Sequence, residues 1–148
     1  MHYFIQQKRT QMNFTIDNVT WIEIPKITDP RGNLAVIEKD TIPFAIKRVY
    51  YLFDVPSDAS RGGHAHKELI QVLVAVSGSF DVIIDDGNTR QKVTLNKPDK
   101  ALLIPNRVWR EIENFSSGAV CLSIVSDEFD ESDYIRDYEE FKKYLTSL

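Results

Sequence analysis

The chain has 148 residues, enough for one domain with a substantial core, and its 43% hydrophobic content with charges of both signs excludes a disordered polymer. A net charge of −4 leaves no basic excess for nucleic acid, so an anionic ligand must be held by locally clustered arginines. The single cysteine, Cys121, excludes an internal disulfide and a Cys-rich zinc site, and no apolar stretch reaches membrane-spanning length. Residues 1–13 are polar and lack the apolar core of a signal peptide, so a cytoplasmic location is expected.

Residues 1–17 read as an N-terminal extension, either disordered or exchanged with a partner, ahead of a single domain over 18–148. The first strand is expected over 19–24, ended by Pro25, and Asp29-Pro30-Arg31-Gly32-Asn33 carries turn chemistry. A short strand follows over 34–38, then a longer one over 46–55, rich in aromatic and β-branched residues. In that strand Arg48, Tyr50 and Leu52 share one face. A polar loop over 56–60 leads into Arg61-Gly62-Gly63-His64-Ala65-His66, which holds two of the three histidines. If this stretch is extended, His64 and His66 project from the same face. Three readings of the pair are open: hydrogen-bonded structural residues, half of a metal site that lacks a third ligand, or metal-free acid–base groups.

Residues 69–76 are apolar at nearly every position, as in a strand buried on both faces. Gln71 is the exception; it either looks into a polar cavity or pairs with a neighbouring backbone group. Residues 79–84 alternate, Asp85-Asp86-Gly87-Asn88 signals a hairpin, and 89–95 returns. Three more short strands are expected over 101–104, 108–112 and 119–125. Tyr134, Tyr138, Phe141 and Leu145 then form a helical stripe, with Ser132 or Asp133 at its start. Many short strands and one terminal helix describe an all-β antiparallel jelly-roll barrel with a C-terminal α-helix, and ligand sites favour the mouths of such barrels.

His64-Ala65-His66, Gln71 after four residues and Gly78 after six more, followed by Pro105, Arg107, Arg110 and Asn114, resemble the two cupin motifs. Gln71 stands where metal-binding cupins have Glu, Arg110 stands where they have the last His, and Asp58 replaces the leading glycine. A neutral amide and a cation in those places argue against a divalent ion, so no metal or other cofactor is expected. Asp29 to Leu34, Ile46 to Tyr51, Arg61 to His66 and Asp133 to Tyr138 further resemble the metal-free cupin sugar 3,4-ketoisomerases, over about 18–145. That resemblance implies isomerisation of dTDP-4-keto-6-deoxyglucose from the 4-ketone to the 3-ketone through an enediol(ate). It also implies a homodimer, with an N-terminal strand available for exchange.

On this reading His66 is the base and His64 shuttles the hydroxyl proton or steadies the enediolate, although spacing alone does not rank the two. Arg110 and Gln71 are candidates for stabilising developing negative charge. Arg61, Arg48 and Arg31 are candidates for the two phosphates, while Tyr50 and Trp109 are candidates for base or sugar. Two other functions share the fold: a dTDP-sugar 3,5-epimerase and a non-catalytic sugar-nucleotide-binding cupin.

Overall fold

The computed structural model describes residues 15–148. The strands are β1 (Thr20–Glu23), β2 (Lys26–Asp29), β3 (Gly32–Ala35), β4 (Arg48–Leu52), β5 (Arg61–His66) and β6 (Gln71–Ser77). They continue as β7 (Phe80–Asp85), β8 (Arg90–Leu95), β9 (Lys100–Ile104), β10 (Trp109–Glu113), β11 (Val120–Val125) and β12 (Tyr134–Ile135), and helix α1 (Tyr138–Thr146) closes the chain. One sheet has the order β1-β9-β6-β11-β4 and the other β12-β5-β10-β7-β8, with β2 and β3 as a separate hairpin. The strand pairs are antiparallel throughout. This is the expected cupin-type barrel.

Period-two alternation explains how the two sheets meet. Leu73 and Ala75 of β6, Phe80, Val82 and Ile84 of β7, and Ile112 of β10 pack between the sheets. The alternate residues Val72 and Val74 of β6 pack on the outer side with Ile24, Ile42 and Ile124. Both faces of β6 are therefore covered, which is why its sequence lacks alternation. The Asp85–Asn88 turn is built as the sequence suggests. Asp85 accepts from the Gly87 N–H at 2.7 Å, and Asp86 accepts from Asn88 and Thr89 at 2.9 and 2.7 Å.

Two expectations are corrected, for β2 and for the helix start, and two details are added. Pro25 ends β1, but the chain resumes at once as β2, whose pairing with β3 is turned by Asp29–Gly32. The histidine stretch is a strand of its own in the sheet opposite β6. Residues 16–18 form a 3-10 turn held to the barrel by an Ile16 N–H donated to Asp86 at 2.8 Å. The N-terminal extension otherwise lies outside the described residues. Finally, α1 starts at Tyr138, where Asp137 caps it by accepting from the Glu140 N–H at 3.0 Å. Tyr134 is extended, paired with His66 across β12 and β5, and its place in the helical stripe is a coincidence of spacing.

Candidate active site

Between the sheets lies a cavity of about 420 Å³. The inward positions of four strands supply its polar wall: Arg48 and Tyr50 from β4, His64 from β5, Gln71 from β6 and Arg110 from β10. Arg61 lies at the rim, and Tyr134 and Arg136 close the site from the C-terminal segment. Four arginines line the cavity, and among the described residues no carboxylate does. The local field is thus positive in a protein of net negative charge.

His64 and His66 do share a face. Their Nε2 atoms are 3.0 Å apart, and the rings meet edge to face. His64 borders the cavity, whereas His66 lies behind it at 1% exposure, with Nδ1 3.0 Å from Asp133 Oδ2. The ring of Tyr134 packs on both imidazoles, with centroids 5.0 and 4.4 Å away. Burial, then Arg110 and Arg136, push the His64 pKa down to about 3. His66 is shifted in the same direction, first by burial and then by Arg110, His64, Arg48 and Arg136. Both shifts favour the neutral ring at physiological pH.

Gln71 looks into the cavity, and its side-chain partners are other side chains rather than a neighbouring backbone group. Its amide is fully engaged. Its Nε2 donates to Tyr50 Oη at 2.9 Å and to Ser123 Oγ at 2.7 Å, and its Oε1 accepts from Arg110 at 2.8 Å. Arg110 is wholly buried and also donates to the carbonyls of Val108 and Pro105, at 2.8 and 3.2 Å. Its Nε has no hydrogen-bond partner, and burial lowers its pKa to about 10. Arg48 stacks over Tyr50 and Phe129 and donates weakly to Tyr134 Oη at 3.4 Å, while its Nε is buried without a partner.

Arg31 and Trp109 are not brought to this cavity. Arg31 sits in the β2–β3 turn with its side chain 90% exposed and paired to Asp29 at 2.7 Å. Trp109 precedes inward-facing Arg110, so alternation turns it outward against Tyr138 and Phe141, where its Nε1 donates to Glu111 at 2.9 Å. Sequence reasoning missed the roles of Asp133, Tyr134 and Arg136. The signal was the Asp133–Tyr138 block, whose aromatic spacing had been assigned to the helix. Arg136 stacks 4.2 Å from the Tyr134 ring centroid and pairs with Glu131.

Among the described residues, no group of three or more His, Cys, Asp or Glu is placed to hold a metal ion. The positions that are Glu and His in metal-binding cupins hold Gln71 and Arg110, which are hydrogen-bonded to each other. A guanidinium there repels a divalent cation, so these residues do not fit one.

The family model described as "WxcM-like, C-terminal" (FdtA) matches residues 17–146. Over 128 residues the chain is 50% identical to the TDP-4-oxo-6-deoxy-alpha-D-glucose-3,4-oxoisomerase of Aneurinibacillus thermoaerophilus, covering 86% of this chain and 92% of that one. The chain belongs to the FdtA-type sugar 3,4-ketoisomerase family. Solved relatives of this ketoisomerase family share its barrel. The 3,4-ketoisomerase QdtA of Thermoanaerobacterium thermosaccharolyticum, solved as a histidine-to-asparagine mutant with TDP-4-keto-6-deoxyglucose, matches with a TM-score of 0.87 and 39% identity over 90% of this chain and 97% of that one. A 3,4-ketoisomerase from Helicobacter canadensis matches with a TM-score of 0.85 and 42% identity over 87% and 98%. No described helix is long and apolar enough to cross a membrane.

Proposed function

We propose that this chain moves the ketone of dTDP-4-keto-6-deoxyglucose from C4 to C3, using its own side chains as acid and base. The observation that carries this reading is the 3.0 Å contact between two imidazoles, one of them at the wall of a cavity lined by arginines. The ketone acidifies the C3–H bond. A base takes that proton, the bonding pair passes into a C3–C4 enediolate, and a proton returns at C4. The hydroxyl proton moves from O3 to O4, so carbon C3 is oxidised and C4 reduced with no external acceptor.

His64 is the ring at the cavity wall, and we assign it the contact with substrate, with His66 as the relay behind it. This reverses the order expected from sequence, because His66 has both ring nitrogens engaged by His64 and Asp133. Arg110 places fixed positive charge behind the wall, where the enediolate develops. Arg48, Arg61 and Arg136 suit the diphosphate, with Tyr50 and Tyr134 beside the sugar or base.

The reading is tested by following dTDP-4-keto-6-deoxyglucose by NMR in deuterated buffer. A 3-keto product unlabelled at C5 is expected, and His64→Asn abolishes its formation while dTDP still binds. Label at C5 indicates the epimerase instead, and saturable binding with unchanged substrate indicates the non-catalytic cupin. The outer face of β4 presents Val49 and Tyr51, continued by Phe53 just beyond its end, each more than half exposed, and a second copy is our assignment for what covers them. Sedimentation equilibrium at micromolar protein is expected to give twice the chain mass. Exchange of an N-terminal strand concerns residues outside those described. The cytoplasm is the compartment of this reading, since one cysteine permits no internal disulfide.

A further inference from the structure

The side of the histidine pair facing away from the cavity is closed by a carboxylate from the far end of the chain. Asp133 Oδ1 accepts from the Glu68 N–H at 2.8 Å, and its Oδ2 accepts from the Leu69 N–H at 3.3 Å. Its own carbonyl accepts from the Lys67 N–H at 2.9 Å, and its N–H donates to the Asp130 carbonyl at 3.0 Å. The carboxylate is thus fixed in place on the stretch that follows His66. Oδ2 then lies 3.0 Å from His66 Nδ1.

An ionised carboxylate only accepts hydrogen bonds, and a neutral imidazole carries one proton. The proton of His66 must therefore sit on Nδ1, which leaves its Nε2 bare. The Nε2 of His64, 3.0 Å away, must in turn donate. What remains is Nδ1 of His64, a bare nitrogen on the ring that borders the cavity, with no hydrogen-bond partner among the described residues. We infer that Asp133 is a positioning residue that sets the tautomers of both histidines and so makes Nδ1 of His64 the base.

This inference rests on the isomerase reading above and adds a direction to it. As the C3–H bond breaks, an N–H bond forms at Nδ1 of His64 and the carbon's electron pair enters the enediolate. The Nε2 proton of His64 passes to Nε2 of His66, so the positive charge comes to rest beside Asp133. The reverse transfers deliver the proton to C4.

Asp133→Asn tests it. The amide oxygen keeps the shorter bond from Glu68, and the NH₂ group turns to His66 Nδ1, which can then only accept. Both tautomers reverse. We expect kcat to fall on the order of 10²–10⁴-fold, with KM and dTDP affinity within about threefold of the native values, and Asp133→Glu to recover part of the loss. In ¹⁵N spectra of histidine-labelled protein, His66 is protonated at Nδ1 in the native chain and at Nε2 in D133N. A native His66 with a bare Nδ1 overturns the inference, as does a folded D133N variant with kcat within about threefold of native. If D133N does not fold, the native spectrum alone decides. Failure of the isomerase reading is separate, since it shows as no 3-keto product from the native enzyme whatever the tautomer.

Discussion

Acidification should unfold this protein through its two buried imidazoles before its carboxylates matter. His64 has a folded pKa of about 3, against about 6.5 in an unfolded chain, and His66 is depressed as well. For a depressed pKa the full stability is present above about pH 6.5 and is lost as pH falls from there towards the folded value. Within that window each pH unit removes roughly 1.4 kcal/mol per histidine. Going from pH 7.5 to 5.5 crosses about one effective unit for each ring, so the pair together should lose roughly 3 kcal/mol. The two rings are 7% and 1% exposed, so solvent screening is slight. The remaining histidine, His2, lies outside the described residues, and ordinary carboxylates titrate below this window. Urea unfolding at the two pH values measures the effect. With an m-value of about 1.5 kcal/mol/M, the midpoint should fall by roughly 2 M at pH 5.5, and His64→Asn should remove about half of that dependence. Midpoints that agree within about 0.3 M, or a His64→Asn variant with the full dependence, refute the assignment of two neutral buried rings.

Other outcomes follow from the same geometry. Arg48→Gln keeps bulk but removes a charge that faces the cavity, and calorimetry should show dTDP binding weakened by about tenfold, the worth of one charge-assisted hydrogen bond. Exhaustive chelation should leave the isomerisation rate unchanged, because Gln71 and Arg110 occupy two of the four places a cupin metal needs; loss of activity restored by a divalent ion contradicts this. Gly78→Ala should lower stability by about 2–4 kcal/mol in urea unfolding. Its φ is +66°, and a Cβ there would meet Ser116 Oγ at 2.5 Å and the Ala119 backbone at 2.9 Å.

The barrel was legible because its signals are local. Apolar runs, the Asp85–Asn88 turn and the alternation of Arg48, Tyr50 and Leu52 each need only a few neighbouring residues. The facing of His64 and His66 was legible for the same reason, since strand geometry alone decides it. Which histidine meets the cavity was not, because that depends on Asp133, 67 residues downstream of His66. Tyr134 was misread by the same kind of error: its spacing to Tyr138 fits a helix, but Asp137 caps the helix too late to include it. Trp109 shows the converse. Arg110 was expected at the site, and applying alternation to its neighbour would have sent Trp109 to the outside. Arg31 carried no local cue to its exposure beyond the turn it sits in.

Every strand of the two sheets except the edge strand β12 is complete by Val125, whereas Asp133 and Tyr134, which flank the imidazole pair, come from the tail that folds back along β5. The proposed proton relay thus leans on a segment laid against β5 after the other strands in chain order, and without it His66 would lose its carboxylate partner.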